Sequence, residues 1–578
     1  MSSESNIIDA EAADASILDE LGVAEEVLGL VDPVAFLRSI LGTLLKACSH
    51  PIELAGAGAN LAFGAIAAAP VVVGRAAGMD VEGPMQPSAK DRRFADPEWE
   101  SNPIFYGILQ AYLLQEQLVH DVVDAARLSP DDDRKARFIS QFLVDALAPT
   151  NFLPTNPKAL RRAVETGGKS VVSGVRNLIG DIRHNGGWPS QVDASPFEVG
   201  VNMAASPGKV VYRSDLIELI QYEPATRRVY ETPLLFCPPW INKYYIMDLA
   251  PGKSLIEWAV AHGHTCFAIS YRNPDESMRN TGFEDYLRQG PLDAVRVVRD
   301  ITGAEKVNTL NVCLGGTLTA MAMAYGAAAG DEPINTATFL NTLTDFSDPG
   351  ILGAFTDEST VRALEKKMAK RGFLEAGEMA RTFDAIRAND LIFSYVESNW
   401  LLGEKPPAFD LLAWNADSTR MPARMHGTYL RRCYLQNDFA SGRMDIDGVP
   451  IEPGKVEQDV YVLSAVDDHI VPWTSAYRTA RLLGGDARFV LSTAGHIAGI
   501  VNPPSPKAKH WVNDSGDLPE DPHLWREGST LVDRTWWEDW IAWVSERAGA
   551  KVAPPRGCGS AEFPPLYDAP GQYVHGRS

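Results

Sequence analysis

The sequence predicts an α/β protein in which a mainly parallel sheet is covered by helices on both faces, preceded by an all-helical domain. Three observations predict it. From about residue 200 onward, short β-rich runs alternate with helical patterns, the order that builds parallel sheets through helical crossovers. Within that region Leu310-Asn311-Val312-Cys313-Leu314-Gly315-Gly316-Thr317 joins an apolar run to a small-residue helix pattern, Leu318 to Gly326, through two glycines. Before residue 200, apolar residues recur instead at helical spacing.

Residues 1–95 are low in aromatics and rich in Ala and Gly, and they end in a polar, proline-containing stretch, Gly83 to Pro97. They read as a weakly ordered arm with helical segments. Residues 96–200 form the α-helical N-terminal domain. Its first helix spans Asn102 to Val123 (Ile104, Ile108, Tyr112, Leu113) and its second Arg137 to Leu147 (Phe138, Phe142, Leu143, Leu147). A third, Pro157 to Ile182, is interrupted at Gly167-Gly168.

Residues 201–578 carry the sheet. Strands are expected at Val210–Tyr212, Ile217–Tyr222, Pro233–Cys237, Thr265–Ser270, Val307–Val312, Val460–Ser464 and Arg488–Ser492. Helices are expected at Ser254–His262, Asp285–Thr302 and Trp473–Leu483. Between about 335 and 440 the alternation gives way to helical patterns rich in Phe, Met, Tyr and Trp, the place and size of a lid insertion. Trp536, Trp537, Trp540, Ile541, Trp543 and Val544 have helical spacing, read as a helix packing on the catalytic domain in preference to a polymer-binding stripe.

With 578 residues, the chain fits two or three domains. A net charge of −22, from 53 basic and 75 acidic side chains, argues against nucleic acid or an anionic membrane as the main partner. The six scattered cysteines (Cys48, Cys237, Cys266, Cys313, Cys433, Cys558) show neither a CxxC pair nor zinc spacing, and read as free thiols in a reducing compartment. No metal or cofactor is expected. Met1 to Glu26 is acidic, without the basic-then-apolar order of a signal peptide. Ala55 to Ala77 is apolar but mostly Ala and Gly, with Pro70 inside, so no transmembrane segment is expected and the location reads as cytoplasmic.

The turn at Cys313 has the layout of a nucleophile elbow, where small neighbours let strand and helix approach and the helix N-terminus favours negative charge on the sulfur. Asn311 stands two before the cysteine, where elbows generally carry glycine, and adds bulk there. Past strand 460–464 come Asp467 and Asp468, either of which fits the spacing of an orienting acid. Past strand 488–492 comes His496 in a small-residue loop, with His264 and His469 as its rivals for the base. The chain order nucleophile, acid, histidine is that of α/β-hydrolases. In that fold the oxyanion hole takes the amide after the nucleophile, here Leu314, and one from the loop after an early strand. That loop begins Pro238-Pro239-Trp240, and Trp240 is its first residue able to donate an amide; the loop reads equally as aromatic packing.

PPWINKYYIMDL, the YRNPD turn, NVCLGGT, NDLIFSYVESNWLLGEKPP with the following FDLLAWN, DDHIVPW and GHIAGIVNPP together closely resemble polyhydroxyalkanoate synthases, from about residue 97 to the last residue. The length and the full N-terminal domain are similar to the single-chain class I type, which uses short-chain substrates. The resemblance implies an α/β-hydrolase fold with a helical lid, Cys313 as acyl-carrying nucleophile, His496 as general base and Asp468 as acid. It implies an acyltransferase that polymerises (R)-3-hydroxyacyl-CoA, such as 3-hydroxybutyryl-CoA, and releases CoA. The implied partners are the growing polyester, its granule surface, granule-associated proteins and a second copy in a homodimer. Asn311 departs from the family's Gly-x-Cys-x-Gly-Gly. The alternative on the same fold is a cysteine-dependent acyl-CoA thioesterase.

Overall fold

The computed structural model describes residues 33–577, so residues 1–32 of the expected arm lie outside the described residues. The chain divides into two compact units, one of residues up to Asp193 with Arg381–Pro407, the other of Ala194–Ala380 with Ala408 onward.

The first unit is helical: α1 Pro33–Cys48, α2 Pro51–Ala76, α3 Pro103–Ala125, α4 Pro130–Ala146, α5 Pro157–Glu165 and α6 Lys169–His184. Three of these start with the same local code, a polar residue followed by proline. Asn102, Ser129 and Asn156 each accept an amide of the first turn, while Pro103, Pro130 and Pro157 occupy a position whose N–H has no helical partner. Gly168, at φ +83°, separates α5 from α6 where the sequence breaks at its glycine pair. Phe94, Trp99, Leu109, Tyr112, Leu113 and Val144 make the main core of this unit. By length and composition α2 could cross a membrane, and it exposes Ile52, Phe63, Ile66 and Val73.

The segment 381–407, expected within the lid, belongs to this helical unit. The cause is polar and non-local. Trp400 donates its indole N–H to buried Asp181 (2.7 Å), Asn399 donates to the Ser190 carbonyl (2.7 Å), and Asp384 accepts from the Trp188 indole (3.2 Å). Such pairings leave no periodic mark on the sequence.

The second unit is built on an eleven-stranded sheet: β1 Gly208–Arg213, β2 Ile217–Tyr222, β3 Leu234–Cys237, β4 Cys266–Tyr271, β5 Val307–Val312, β6 Ile334–Leu340, β7 Val460–Ala465, β8 Ala487–Ser492, β9 His510–Val512, β10 Thr530–Val532 and β11 Tyr567–Asp568. Their spatial order is β10-β9-β8-β7-β6-β5-β3-β4-β2-β1-β11. The run from β8 to β4 is parallel and the strands outside it are antiparallel. Strand β6 occupies the first residues of the expected lid. Its sequence Ile334-Asn335-Thr336-Ala337-Thr338-Phe339-Leu340 is buried on both faces, so its threonines sit inside and it shows no polar-apolar alternation.

Helices α7 Leu255–Ala261, α8 Asp293–Thr302, α9 Leu314–Ala329, α10 Trp473–Leu482 and α11 Trp536–Glu546 belong to this unit. The tryptophan stripe of α11 faces inward: Trp536, Trp537, Trp540 and Trp543 are all buried, and Trp540 donates its indole N–H to Thr338 Oγ1 on β6 (2.9 Å). The α/β-hydrolase architecture is thus present with its helical domain, and the carboxyl ends of β3, β5, β7 and β8 converge on one edge, where open α/β sheets hold their ligands.

Candidate active site

Cys313 follows β5 at φ +50°, ψ −116° and caps the start of α9. This backbone is costly for a residue with a side chain and persists only where its surroundings fix it. They do so on both sides. The Cys313 amide donates to Leu340 on β6 (2.9 Å), and its carbonyl accepts from Gly316 N (2.9 Å), Thr317 N (3.2 Å) and Thr342 Oγ1 (3.2 Å). A Cβ at position 315 would collide with the carbonyl oxygens of Cys237 and Pro238, and one at 316 with the Thr342 side chain. Both glycines are therefore required by close approach.

Asn311 is accommodated without disturbing the turn. It remains in the β5 ladder, fully buried, and its Nδ2 donates to Thr309 Oγ1 (3.0 Å) and to the Thr338 carbonyl (2.9 Å). The unusual backbone begins two residues later, so the added bulk falls on the sheet.

His496 opens a short helix after β8, and Asp468 lies in the turn after β7. Asp468 Oδ2 meets His496 Nδ1 at 2.7 Å, and its Oδ1 accepts the amides of Ile470 and Val471, both at 2.9 Å. All the carboxylate's bonds thus fix its direction. The Asp468 side chain is fully buried, whereas Asp467 is exposed, and among the described residues the carboxylate hydrogen-bonded to His496 is that of Asp468. With Nδ1 occupied by Asp468, Nε2 is the remaining ring nitrogen, and the imidazole lies within electrostatic reach of the Cys313 sulfur. Burial acts to lower the His496 pKa. The adjoining Asp468 carboxylate, and after it the Cys313 sulfur, outweigh burial and raise it above the ordinary histidine value.

His264 sits at the other end of the sheet, before β4. It is stacked on Tyr230 and bonded to Ser545 Oγ at 3.1 Å, and burial pushes its pKa down to about 3.

Leu314 and Trp240 occupy the positions expected of oxyanion donors. Leu314 is the first residue of α9, and among the described residues neither its amide nor that of Trp240 donates to another group. The loop carrying Trp240 abuts the elbow, because the Pro238 carbonyl presses on Gly315. The indole of Trp240 packs edge-on against Phe283, Tyr286 and Tyr429, so the aromatic-packing reading of this loop holds for its side chain. Sequence reasoning missed the aromatic wall that continues to Phe346 and Tyr434. Tyr429 is buried, Tyr434 is half-buried, and both are within electrostatic reach of Cys313. It also missed Asn341, at φ +46°, whose side-chain amide donates to the His496 carbonyl. Their only sequence signal was the aromatic richness of the insertion.

The comparisons with known proteins bear on family and fold. Residues 90–259 match the family described as poly-beta-hydroxybutyrate polymerase (PhaC) N-terminus, and residues 232–503 match the alpha/beta hydrolase fold. The chain is 42% identical over 495 residues to a poly(3-hydroxyalkanoate) polymerase subunit PhaC of Cupriavidus necator, covering 84% of this chain and 83% of the relative. It is 43% identical over 503 residues to a poly(3-hydroxyalkanoate) polymerase of Methylorubrum extorquens, covering 86% and 83%.

Two outcomes follow from the geometry. Asn311→Gly loses both buried bonds and loosens β5, at a cost of about 1–2 kcal/mol; it should lower the melting temperature while leaving Cys313 alkylation by iodoacetamide unchanged. The folded-state pKa of His496 stands above its unfolded value. Its ion-pair contribution is therefore complete below about pH 6.5 and fades as pH rises through the folded value. The melting-temperature gap between wild type and Asp468→Asn should be widest below that pH and shrink on the alkaline side; a gap that widens with pH contradicts the pairing.

Proposed function

The chain belongs to the poly(3-hydroxyalkanoate) polymerase family, an acyltransferase that joins hydroxyalkanoate units into polyester, and from that premise we propose that Cys313 carries each acyl unit as a thioester. The substrate is an (R)-3-hydroxyacyl-CoA, with 3-hydroxybutyryl-CoA as the short-chain case. The Cys313 sulfur, its proton taken by His496 Nε2, attacks the thioester carbonyl. The oxygen that becomes negative lies against the amides of Leu314 and Trp240. Collapse expels the CoA sulfur, which recovers the proton from His496 and leaves as free thiol. Thioester is exchanged for thioester, so the acyl group stays activated, which a serine ester would not achieve.

In the second half-reaction His496 takes the proton of a 3-hydroxyl from another acyl unit. That oxygen attacks the Cys313 thioester, the new C–O ester bond forms, the C–S bond breaks, and the departing Cys313 sulfur recovers the proton from His496, which restores both side chains. Asp468 holds the imidazole by Nδ1 throughout and stabilises its charged form. Water must be kept from the thioester, and the aromatic residues of 341–380 and 408–440 supply an apolar surround. The exposed apolar side chains of α1 (Leu41, Leu44, Leu45) and α2 (Ile52, Phe63, Ile66, Val73) suit contact with a polyester granule surface.

The observation that carries this reading is the single imidazole of His496, bonded to Asp468 through Nδ1 and within electrostatic reach of the Cys313 sulfur. Incubation with (R)-3-hydroxybutyryl-CoA tests it. Wild type is expected to release CoA thiol and deposit insoluble polyester, and Cys313→Ala to do neither. Soluble 3-hydroxybutyrate accounting for all released acyl groups identifies a thioesterase instead, and equal CoA release by Cys313→Ala removes the nucleophile assignment.

A further inference from the structure

Lys243 stands three residues after Trp240, in the loop that follows β3, and its side chain is 2% exposed. A lysine ammonium has three N–H donors and is seldom taken out of water. Here it has three partners: the carbonyls of Val574 (2.6 Å) and Gly576 (2.5 Å), and Asp417 Oδ1 in an ion pair at 3.5 Å. Two of the three are backbone carbonyls of one short segment near the end of the chain.

That segment is itself fixed to the sheet. Glu218, on β2 and fully buried, accepts the amides of Gln572 (2.8 Å) and Tyr573 (3.0 Å) and the hydroxyl of Tyr567. Arg213 on β1 reaches Gln572 Oε1 at 2.8 Å. The opposite side of the loop is held by residues 414–419. The Trp414 indole donates to the Lys243 carbonyl (2.8 Å), Thr419 Oγ1 to the Trp240 carbonyl (2.8 Å), and Tyr245 shares Asp417 with Lys243 through a 2.8 Å bond.

The loop from Trp240 to Tyr245 is thus held between two segments distant in sequence, and the buried charge of Lys243 reaches both, with its two shorter bonds going to the 567–577 segment. We propose that Lys243 is a positioning residue, which ties the 567–577 segment to the Trp240 loop and so holds the Trp240 amide at the spacing that oxyanion stabilisation requires. This inference rests on the reading of Trp240 as an oxyanion donor. Its physical basis is preorganisation: a donor displaced by a fraction of an ångström still binds substrate but serves the developing charge poorly. A loop of this length, with two prolines at its start and no strand of its own, cannot hold its amide by local bonding, and its bonds do run to the flanking segments.

The test measures CoA release from (R)-3-hydroxybutyryl-CoA by four proteins: wild type, Lys243→Met, the chain ended after Tyr573, and the two changes combined. Methionine keeps the apolar stem in place while removing the charge. Lys243→Met and the shortened chain should each lower kcat by on the order of 10²-fold, with KM close to wild type. Combined, they should lose no more than Lys243→Met alone, because that change already breaks the tie to the 567–577 segment. Trp414→Phe loosens the other side of the loop by one neutral bond; it should lower kcat by roughly tenfold and serves as the test if the first two fail to fold. A wild-type kcat in the folded variants, a loss that lies in KM, or single losses that multiply when combined overturns the proposal. Because CoA release is the readout, loss of polyester with CoA release intact counts against the polymerase reading and leaves the clamp standing.

Discussion

The constraint on which the rest depends is the backbone of Cys313, held at φ +50° between β5 and α9. A strained turn of this kind projects a side chain out of the sheet only if its neighbours forbid relaxation. Gly315 and Gly316 allow α9 to press against the Pro238 carbonyl and Thr342. Thr342 in turn bonds the Cys313 carbonyl, while the Leu340 carbonyl takes its amide. The two strands flanking β5 therefore do more than extend the sheet: β3 brings the loop of Trp240 against the elbow, and β6 anchors the turn itself.

From that fixed point the remaining groups arrive by topology. β7 and β8 lie parallel beyond β6, and their carboxyl ends deliver Asp468 and His496 to the same edge as the sulfur. The carboxylate takes two backbone amides and the imidazole Nδ1, which leaves it no freedom to turn away. That leaves Nε2 as the ring nitrogen not held by the carboxylate, on an imidazole within electrostatic reach of the Cys313 sulfur. The chemistry proposed for this chain follows from that placement, since one histidine can serve both the thiol and a hydroxyl in turn.

Much of this was legible in the sequence, and the physical reason separates what was from what was not. Local signals were readable: the small residues after Cys313, the Asn-Pro and Ser-Pro helix starts, and the glycine pair that divides α5 from α6. Asp468 and His496 stood out because each sits directly past a β-rich run. Asp467 and Asp468 were equivalent by spacing, and only the hydrogen bonds to Ile470, Val471 and His496 distinguish them. Asn311 looked like an obstacle because its neighbours across the sheet were invisible; Thr309 and Thr338 turn it into a ladder residue. Strand β6 was obscured by its threonines, and the association of 381–407 with the helical unit rests on single long-range bonds such as Trp400 to Asp181. The ammonium of Lys243 and the carbonyls of 574 and 576 are more than 330 residues apart, a pairing no local pattern announces.

The central claim is that the acyl group resides on one sulfur between successive transfers. Rapid acid quenching of the enzyme with (R)-3-hydroxybutyryl-CoA, followed by peptide mass spectrometry, tests it most directly. The account predicts one or more 3-hydroxybutyryl units attached through a thioester to the peptide containing Cys313, and to no peptide containing Cys237 or Cys433. CoA release with Cys313 unmodified at every quench time, or acyl groups found on another side chain, would contradict it.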